Sequence, residues 1–519
     1  PDGAPGTIVY RDGLLDWAYG YDILDEDGDQ ESTEARRIIG DPLHAEPALI
    51  QYGEDANGDP DLVAYLATND GYLHAIDSLD GTEYFAFVPQ EMLGNLNNIF
   101  ENSGVTGKSY GLDGTVVPWM KDGNRDGDLK DAGDHVYLYF GQRRGGSDIF
   151  SMDVTDRENP RLRWVIKGGT GDYAEMGQSW STPNVERLKL GGTTRTVLIF
   201  GGGYDTSQDT VTVRTPDAVG RSVYIVDADT GALLWRAGPD AGADLQLLDM
   251  KYSIPGRIKP IDVDSNGYVD QLYFGDMGGQ LWRIDIEESD TSSDLPTLIR
   301  GGRIADFAQD NSDINTRRFY YPPDVALIIE SGQPPYLSVL AASGYRAHPL
   351  NMTVHDRMYT LRLDDIYNPP ATYTIVTEAD LFDTTNNLIG EGTTSQKNAA
   401  ITSLSTSKGW YITFNELDGS FIGEKALSEP LIINGVGVIT TFVPEDIDLG
   451  VQSCVAKAGT GIVYYVNMTD GTPTFNIAGE VDKTREDRKE YLKRGGIPPS
   501  PSVIITEGGT PTLCIGTEC

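Results

Sequence analysis

The stretch Asp262-Val-Asp264-Ser-Asn266-Gly267-Tyr268-Val-Asp270 puts oxygen-bearing side chains at alternate positions, with a glycine after the third. Such spacing wraps a loop around one ion. Asp262, Asp264 and Asn266 offer side-chain oxygens, Gly267 allows the sharp turn, Tyr268 offers its carbonyl, and Asp270 closes the shell. Every donor is oxygen, with none of the nitrogen or sulfur that zinc prefers, so the ion implied is a hard one and calcium fits. In a helix-loop-helix site a bidentate glutamate stands at the twelfth position, which is Tyr273 here and reads as strand. The alternative is an Asx-rich turn with no ion, against which stands the repulsion among three acids held so close.

A second stretch, Asp122-Gly-Asn124-Arg-Asp126-Gly127-Asp128-Leu-Lys130-Asp131-Ala-Gly-Asp134, begins with the same spacing. Lys130 stands where Asp270 stands in the first loop, so Asp131 or Asp134 would have to close the site. An ion and a solvated turn are equally good readings of it. Asp25-Glu-Asp27-Gly-Asp29 and Asp55-Ala-Asn57-Gly-Asp59-Pro-Asp61 are partial versions that read as turns.

Signatures of catalysis are thin. The chain has no GxSxG elbow, no Walker lysine loop, no HExxH and no GxGxxG between a strand and a helix. Five histidines are scattered, and His44 and His74 fall in or near strand patterns, where hydrogen-bonded core residues are the expectation. With 79 acids, a carboxylate pair for glycoside chemistry cannot be picked out by sequence.

Lys and Arg number 40 against those 79 acids, a formal net charge of −39. That charge repels a phosphate backbone or an anionic lipid surface, which argues against a nucleic-acid partner. No stretch approaches the roughly 20 apolar residues of a membrane span. The opening Pro1 to Arg11 lacks the basic start and apolar core of a signal peptide, so the chain reads as soluble, with any targeting signal upstream in a longer precursor. The three cysteines, Cys454, Cys514 and Cys519, show no CxxC spacing. A bridge between Cys514 and Cys519, one from Cys454 to either, and free thiols all remain open.

The elements that must position these loops are strands. Glycine stands at 60, proline at 28, and tyrosine outnumbers phenylalanine 27 to 14, with short alternating apolar runs, as many strands joined by tight turns require. A degenerate unit recurs: a strand, a Gly-containing turn, an aromatic-aliphatic strand ending in Asp, then often Thr-Gly or Asp-Gly and another strand. It reads at Leu62 to Pro89, Val136 to Trp164, Val197 to Trp235, Gln271 to Asp285 and Leu337 to Leu363. Looser copies follow at Trp410 to Leu427 and Gly435 to Val466. About seven units of four short strands predict an all-β fold, a modified β-propeller with loop insertions and a few short helices. One domain is expected over 1–519: an opening segment 1–40, blades and insertions over 41–480, and a closing segment 481–519. Trp164, Trp235 and Trp282 then fill gaps between sheets. The insertions Glu91 to Lys108, Thr206 to Asp217, Glu287 to Asp310 and Asn368 to Lys408 break the rhythm, and such segments carry partner contacts. Asp482 to Arg494 reads as a short helix capped by Thr484 and stopped before Gly495.

Gly40-Asp-Pro-Leu-His44-Ala-Glu-Pro47, Asn69-Asp-Gly-Tyr-Leu-His74-Ala, Asp153-Val-Thr155, Asp262 through Asp270, Gly275-Asp-Met-Gly-Gly-Gln-Leu-Trp282-Arg, and Gly409-Trp-Tyr with Gly423-Glu-Lys follow one another along the chain. Together, and in this order, these phrases resemble the C-terminal domain of the PilC/PilY family of type IV pilus proteins. The resemblance implies a calcium-binding propeller at the cell surface or pilus tip, reached through the periplasm and associated with the outer membrane. Its calcium would influence pilus extension against retraction, twitching motility and adhesion. Its partners would be minor pilins, the tip complex and a host or abiotic surface. The family's calcium loop carries over to Asp262, Asp264, Asn266, Tyr268 and Asp270. The von Willebrand-type region of many members is absent from this chain, and no Arg-Gly-Asp tripeptide occurs. The competing readings are a quinone-cofactor dehydrogenase, since Val226 to Trp235 resembles the repeat of those propellers, and a purely structural envelope scaffold. The adjacent cysteine pair that many of those enzymes use does not occur here.

Overall fold

The computed structural model describes residues 8–505 and 511–519, except 37–38, 56, 102–106, 309, 311, 446–457, 478 and 480–482. The chain divides into two compact units, 1–183 and 184–519.

The first unit carries two antiparallel four-stranded sheets, each a simple meander. One runs Ala48–Glu54, Pro60–Ala67, Leu73–Asp77 and Glu83–Phe87, the other Val117–Lys121, His135–Gly141, Ile149–Asp153 and Arg161–Ile166. Burial alternates along the strands, as in Pro60–Ala67, where every second residue from Asp61 to Ala67 is buried. Ile50, Tyr65, Leu138 and Phe140 are among the residues of one shared core. A helix Ile8–Ala18 lies against a second, Leu93–Glu101, through Tyr10 and Trp17, whose rings meet Phe100 edge-on at 5.8 and 5.5 Å.

The second unit repeats the plan. Its first sheet is Asn184–Leu190, Thr193–Gly201, Val223–Asp227 and Leu233–Gly238, edged by Leu245–Gln246. Its second is Lys259–Ile261, Gln271–Gly275, Gln280–Ile286 and Ile299–Asp306. Trp235 and Trp282 are buried in the core these two share, as the repeat predicts. Trp164, on the last strand of its meander, is only half-buried. The third sheet holds Asp324–Ile328, Tyr336–Ala342, Arg357–Leu363 and Gly409–Thr413, with Phe382–Asp383 at its margin. In the fourth, Val436–Val443 pairs with Lys425–Ala426, Leu431–Ile433 and Thr460–Asn467, and Lys489–Gly495 follows. A hairpin, Pro501–Ile505 with Pro511–Ile515, completes the described strands.

The looser copy at Trp410 to Leu427 divides between sheets. Gly409–Thr413 pairs with Arg357–Leu363, while Lys425–Ala426 joins the next sheet. The insertion Asn368 to Lys408, which carries the helix Thr394–Thr406, separates two paired strands in sequence and hides their pairing. The run Asp482 to Arg494 also differs from expectation. Thr484 does cap a turn, in a capping box with Asp487, but Arg485–Arg488 is one 3-10 turn and Lys489–Gly495 is a strand. The pull of Thr460–Asn467, with which that strand pairs, outweighs the helical propensity of a charged run.

The repeated Asp…Gly phrase has one physical form. Asp77, Asp227 and Asn467 each accept, through the backbone carbonyl, the N–H of the glycine four residues on, at 3.0, 2.8 and 2.8 Å. Those glycines, Gly81, Gly231 and Gly471, lie at φ +79°, +70° and +71°, where a side chain is costly. The acidic or amide side chain closes the turn by accepting a second N–H two residues on.

Cys514 and Cys519 are joined by a disulfide. Cys454, the other candidate for bridging, lies outside the described residues.

Candidate metal centre

The loop 262–270 connects two neighbouring antiparallel strands, Lys259–Ile261 and Gln271–Gly275, with Ile261 opposite Gln271. Its ends are clasped by the Asp270 N–H on the Ile261 carbonyl at 2.9 Å. To reverse direction within nine residues the backbone enters the left-handed region twice, at Ser265 (φ +61°) and Gly267 (φ +90°). Donors then point inward. Asp262 accepts the N–H groups of Asn266 at 3.1 Å and Gly267 at 2.7 Å; Asp264 accepts Asn266 at 3.1 Å. Asn266 Oδ1 accepts the Tyr268 N–H at 2.9 Å, and Asp270 accepts that of Val263 at 2.7 Å.

These bonds draw the carboxylates together. One oxygen from each of Asp262, Asp264 and Asp270 lies within 4.8 Å of the others. Burial lifts the Asp270 carboxyl above its ordinary range against the help of the Val263 N–H, and the charges of Asp264, Asp262 and Glu288 lift it further. Burial likewise pushes neighbouring Glu186 to about 7, with Asp262 adding to the rise and Arg187 and Arg257 opposing it. A divalent cation would relieve this accumulation of negative charge. An all-oxygen donor set suits calcium, so the residues present fit that ion. When bound, it would be held by Asp262, Asp264, Asn266 and Asp270 through side chains and by Tyr268 through its carbonyl, supplying a positive centre that cross-links the turn.

The loop is also tied to the preceding sheet. The Val269 N–H reaches the Arg187 carbonyl at 3.1 Å, the Tyr268 and Thr194 hydroxyls meet at 2.8 Å, and the Arg187 guanidinium lies 6.0 Å from the Tyr268 ring centre. Beside it opens a cleft of about 490 Å³, with Asp264, Asn266, Asp270, Glu288, Arg300 and Tyr367 among its lining residues. Glu288 escaped the sequence reading. It comes 18 residues after Asp270 (288 − 270), beyond the strand Gln280–Ile286, and only the pairing of that strand with Gln271–Gly275 brings it to the loop.

The loop 122–134 opens with the same backbone turn and has a different interior. Arg125 and Gly127 lie at φ +63° and +86°, matching Ser265 and Gly267, and Gly127 donates to Asp122 at 2.8 Å as Gly267 does to Asp262. Asn124 Nδ2 donates to Asp126 at 3.0 Å and to Asp131 at 2.8 Å, and Asp128 accepts the Lys130 N–H at 2.9 Å. Asp134 is taken by the N–H groups of Gly123 and Asp131. Among the described residues three acidic triplets gather within 4.8 Å, and this loop supplies none of them. Asp25, Asp27 and Asp29 form one, and Asp22, Asp27 and Glu34 another, although that segment reads as a turn. Asp22 uses both oxygens on the Glu26 N–H. Asp55 accepts the N–H groups of Asn57 and Asp59, a closed turn. His44 meets buried Asp113 at 2.8 Å, and His74 meets Glu83 at 2.6 Å.

A profile described as the PilY1 beta-propeller domain matches residues 44–308, 265 of the 519 residues (308 − 44 + 1). The chain belongs to the PilY1 β-propeller family. The match contains the whole of Asp262 to Asp270. The type IV pilus biogenesis factor PilY1 of Pseudomonas aeruginosa PAO1 is 29% identical over 235 residues, 45% of this chain and 18% of that protein. A PilY1 homolog of Xylella fastidiosa is 24% identical over 467 residues, 85% of this chain. The chain thus spans between 18% and 28% of the length of these two relatives. The crystal structure of the P. aeruginosa PilY1 C-terminal domain superposes with a TM-score of 0.59 at 20% identity, covering 88% of this chain and 91% of that one. The blade-like sheets of both units are therefore those of a PilY1 propeller.

Proposed function

We propose that this chain is the calcium-binding propeller of a type IV pilus biogenesis factor. It acts at the cell surface or pilus tip, where calcium occupancy biases pilus extension against retraction and, through it, twitching motility and attachment. The observation that carries the reading is the loop Asp262 to Asp270, whose three carboxylates converge within 4.8 Å on all-oxygen chemistry inside the region matched to the PilY1 propeller. The partners are minor pilins and other tip components on one side and a host or abiotic surface on the other. The protein works by binding rather than by turnover; no quinone-cofactor dehydrogenase chemistry and no purely passive scaffold role is assigned to it.

Without a twelfth-position glutamate the affinity belongs in the range of about micromolar to submillimolar, enough to fill the site in an extracellular medium. Calorimetric titration of chelator-stripped protein tests the ion. Surface pilus counts in a strain carrying Asp264→Ala test the switch. Calcium binding lost with pilus number unchanged would remove the functional role and leave only the site. Turnover of alcohols or sugars with quinone cofactor and calcium supplied would install the enzyme reading instead.

A further inference from the structure

We propose that Glu288 is a positioning residue of the calcium loop: its carboxylate holds the amide nitrogen of Asn266, so that Asn266 presents its single oxygen as the ligand. The inference rests on the calcium reading above and names a residue outside the loop on which it depends.

Asn266 is the one side-chain donor of the loop that has a wrong way round. An aspartate offers oxygen from either face, whereas an amide offers oxygen from one and N–H from the other. Here Asn266 Nδ2 donates to Asp264 Oδ2 at 3.1 Å and also to Glu288 Oε1, while Oδ1 accepts the Tyr268 N–H at 2.9 Å and keeps a second lone pair. Turning the amide over would set its NH2 against the Tyr268 N–H and its oxygen against two carboxylates. Asp264 alone is a weak anchor for this orientation, because as a ligand it must share its charge with the ion. Glu288 is not in the triplet that converges within 4.8 Å, so it acts through Asn266.

The surrounding backbone makes Glu288 a fixed point. The strand before it pairs with the strand that leaves the loop, Asp285 opposite Gln271, and the Ile286 N–H reaches the Asp270 carbonyl at 2.7 Å. On the other side the Ser289 N–H binds the Lys189 carbonyl at 3.1 Å, and Lys189 pairs with Asp290 at 2.8 Å. Glu288 thus stands one residue before a bond to the neighbouring sheet. The arrangement also accounts for an amide at 266, since a carboxylate there would face Asp264 and Glu288 with like charge.

A double-mutant cycle on the full chain separates this role from general acidity. Calcium is titrated by calorimetry into chelator-stripped parent, Glu288→Ala, Asn266→Asp and the double variant, with melting in chelator confirming that each is folded. The expected result is an affinity loss on the order of tenfold for Glu288→Ala in the parent background, as for other residues that orient a metal ligand. The same change should give no loss, or a gain, in the Asn266→Asp background, where no orientation is needed. Equal loss in both backgrounds, or no loss in the parent, overturns the proposal while leaving the calcium site standing. Absence of binding by the parent overturns the calcium reading itself.

Discussion

Lys130 and Asp270 occupy the same ninth position of two loops that open with the same turn, and their side chains run in opposite directions. Asp270 turns into its loop, where it accepts the Val263 N–H at 2.7 Å and joins Asp262 and Asp264. Lys130 turns out of its loop, to Asp61 at 2.8 Å and the Glu54 carbonyl at 3.2 Å. One loop gathers charge, and the other hands its cation to a strand of the adjoining sheet.

A single substitution should therefore convert the second loop. In an Asp264→Ala background, which silences the first site, Lys130→Asp is expected to restore about one equivalent of calcium. Asp61 retains Arg157 as its partner, so the fold should hold. Calorimetry on the single and double variants reads the stoichiometry, and no heat from the folded double variant would mean that a shared opening turn does not amount to a site.

Within the first loop, Asp264 and Ser265 separate liganding from conformation. Asp264→Ala removes a charged donor and should weaken calcium binding by more than tenfold, whereas Ser265→Ala should change it less than twofold. Ser265→Gly should raise the melting temperature in chelator, by the equivalent of about 1 kcal/mol, since Ser265 sits at φ +61° where glycine is not strained. A fall in melting temperature with glycine would show that the left-handed turn is not where the loop stores its cost.

The convergence of Asp262, Asp264 and Asp270 was legible in sequence because they lie within nine residues at alternating positions around a glycine turn. Glu288 was not, since its place depends on strand register rather than on local spacing. The same distinction runs through the fold. Trp235 and Trp282 follow local patterns and are buried as expected, while the pairing of Gly409–Thr413 with Arg357–Leu363 spans an insertion that no local pattern bridges. Lys489–Gly495 shows the reverse: a charged run with helical propensity becomes a strand because Thr460–Asn467 offers it an edge. The left-handed turn at Arg125, with no glycine there to announce it, became visible only as geometry.

Asp276 provides a pH signature away from the metal loop. It is fully buried at the turn between Gln271–Gly275 and Gln280–Ile286, accepting the Gly278 and Gln280 N–H groups at 2.9 and 3.0 Å and the Trp282 indole N–H at 2.8 Å. Burial outweighs these donors and pushes its carboxyl to about 7. Because the folded pKa lies above the unfolded one, the native state holds the proton more tightly, and stability contributed by this group falls as pH rises from about 4 to about 7. Asp276→Asn cannot titrate, and in either orientation its NH2 must face at least one of the three N–H donors, at a cost of about 1–3 kcal/mol. The difference in unfolding free energy between parent and variant should be largest near pH 4 and shrink toward pH 7. Denaturant titrations across that range read it, and a difference that grows with pH would mean that Asp276 is charged in the native state.

The bridge between Cys514 and Cys519 should matter locally. It closes a loop of only five residues' separation, and so short a loop restricts the unfolded chain by at most about 2 kcal/mol. What it secures is nearby. Ile515 packs with Val438 and Val463 of the adjacent sheet, and the Glu518 carboxylate accepts the N–H groups of Lys493 and Arg494, each at 3.2 Å. Cys519→Ser, or reduction of the parent, should therefore speed amide exchange in Lys489–Gly495 and in the hairpin strands. Exchange in Gln271–Gly275 and Gln280–Ile286, buried around Trp282, should be unchanged, because local opening draws only on the contacts of the segment that opens. Hydrogen exchange followed by mass spectrometry distinguishes the two regions in one experiment. Faster exchange everywhere would make the bridge a global staple, and no change at Lys489–Gly495 would show that Glu518 holds that strand without it.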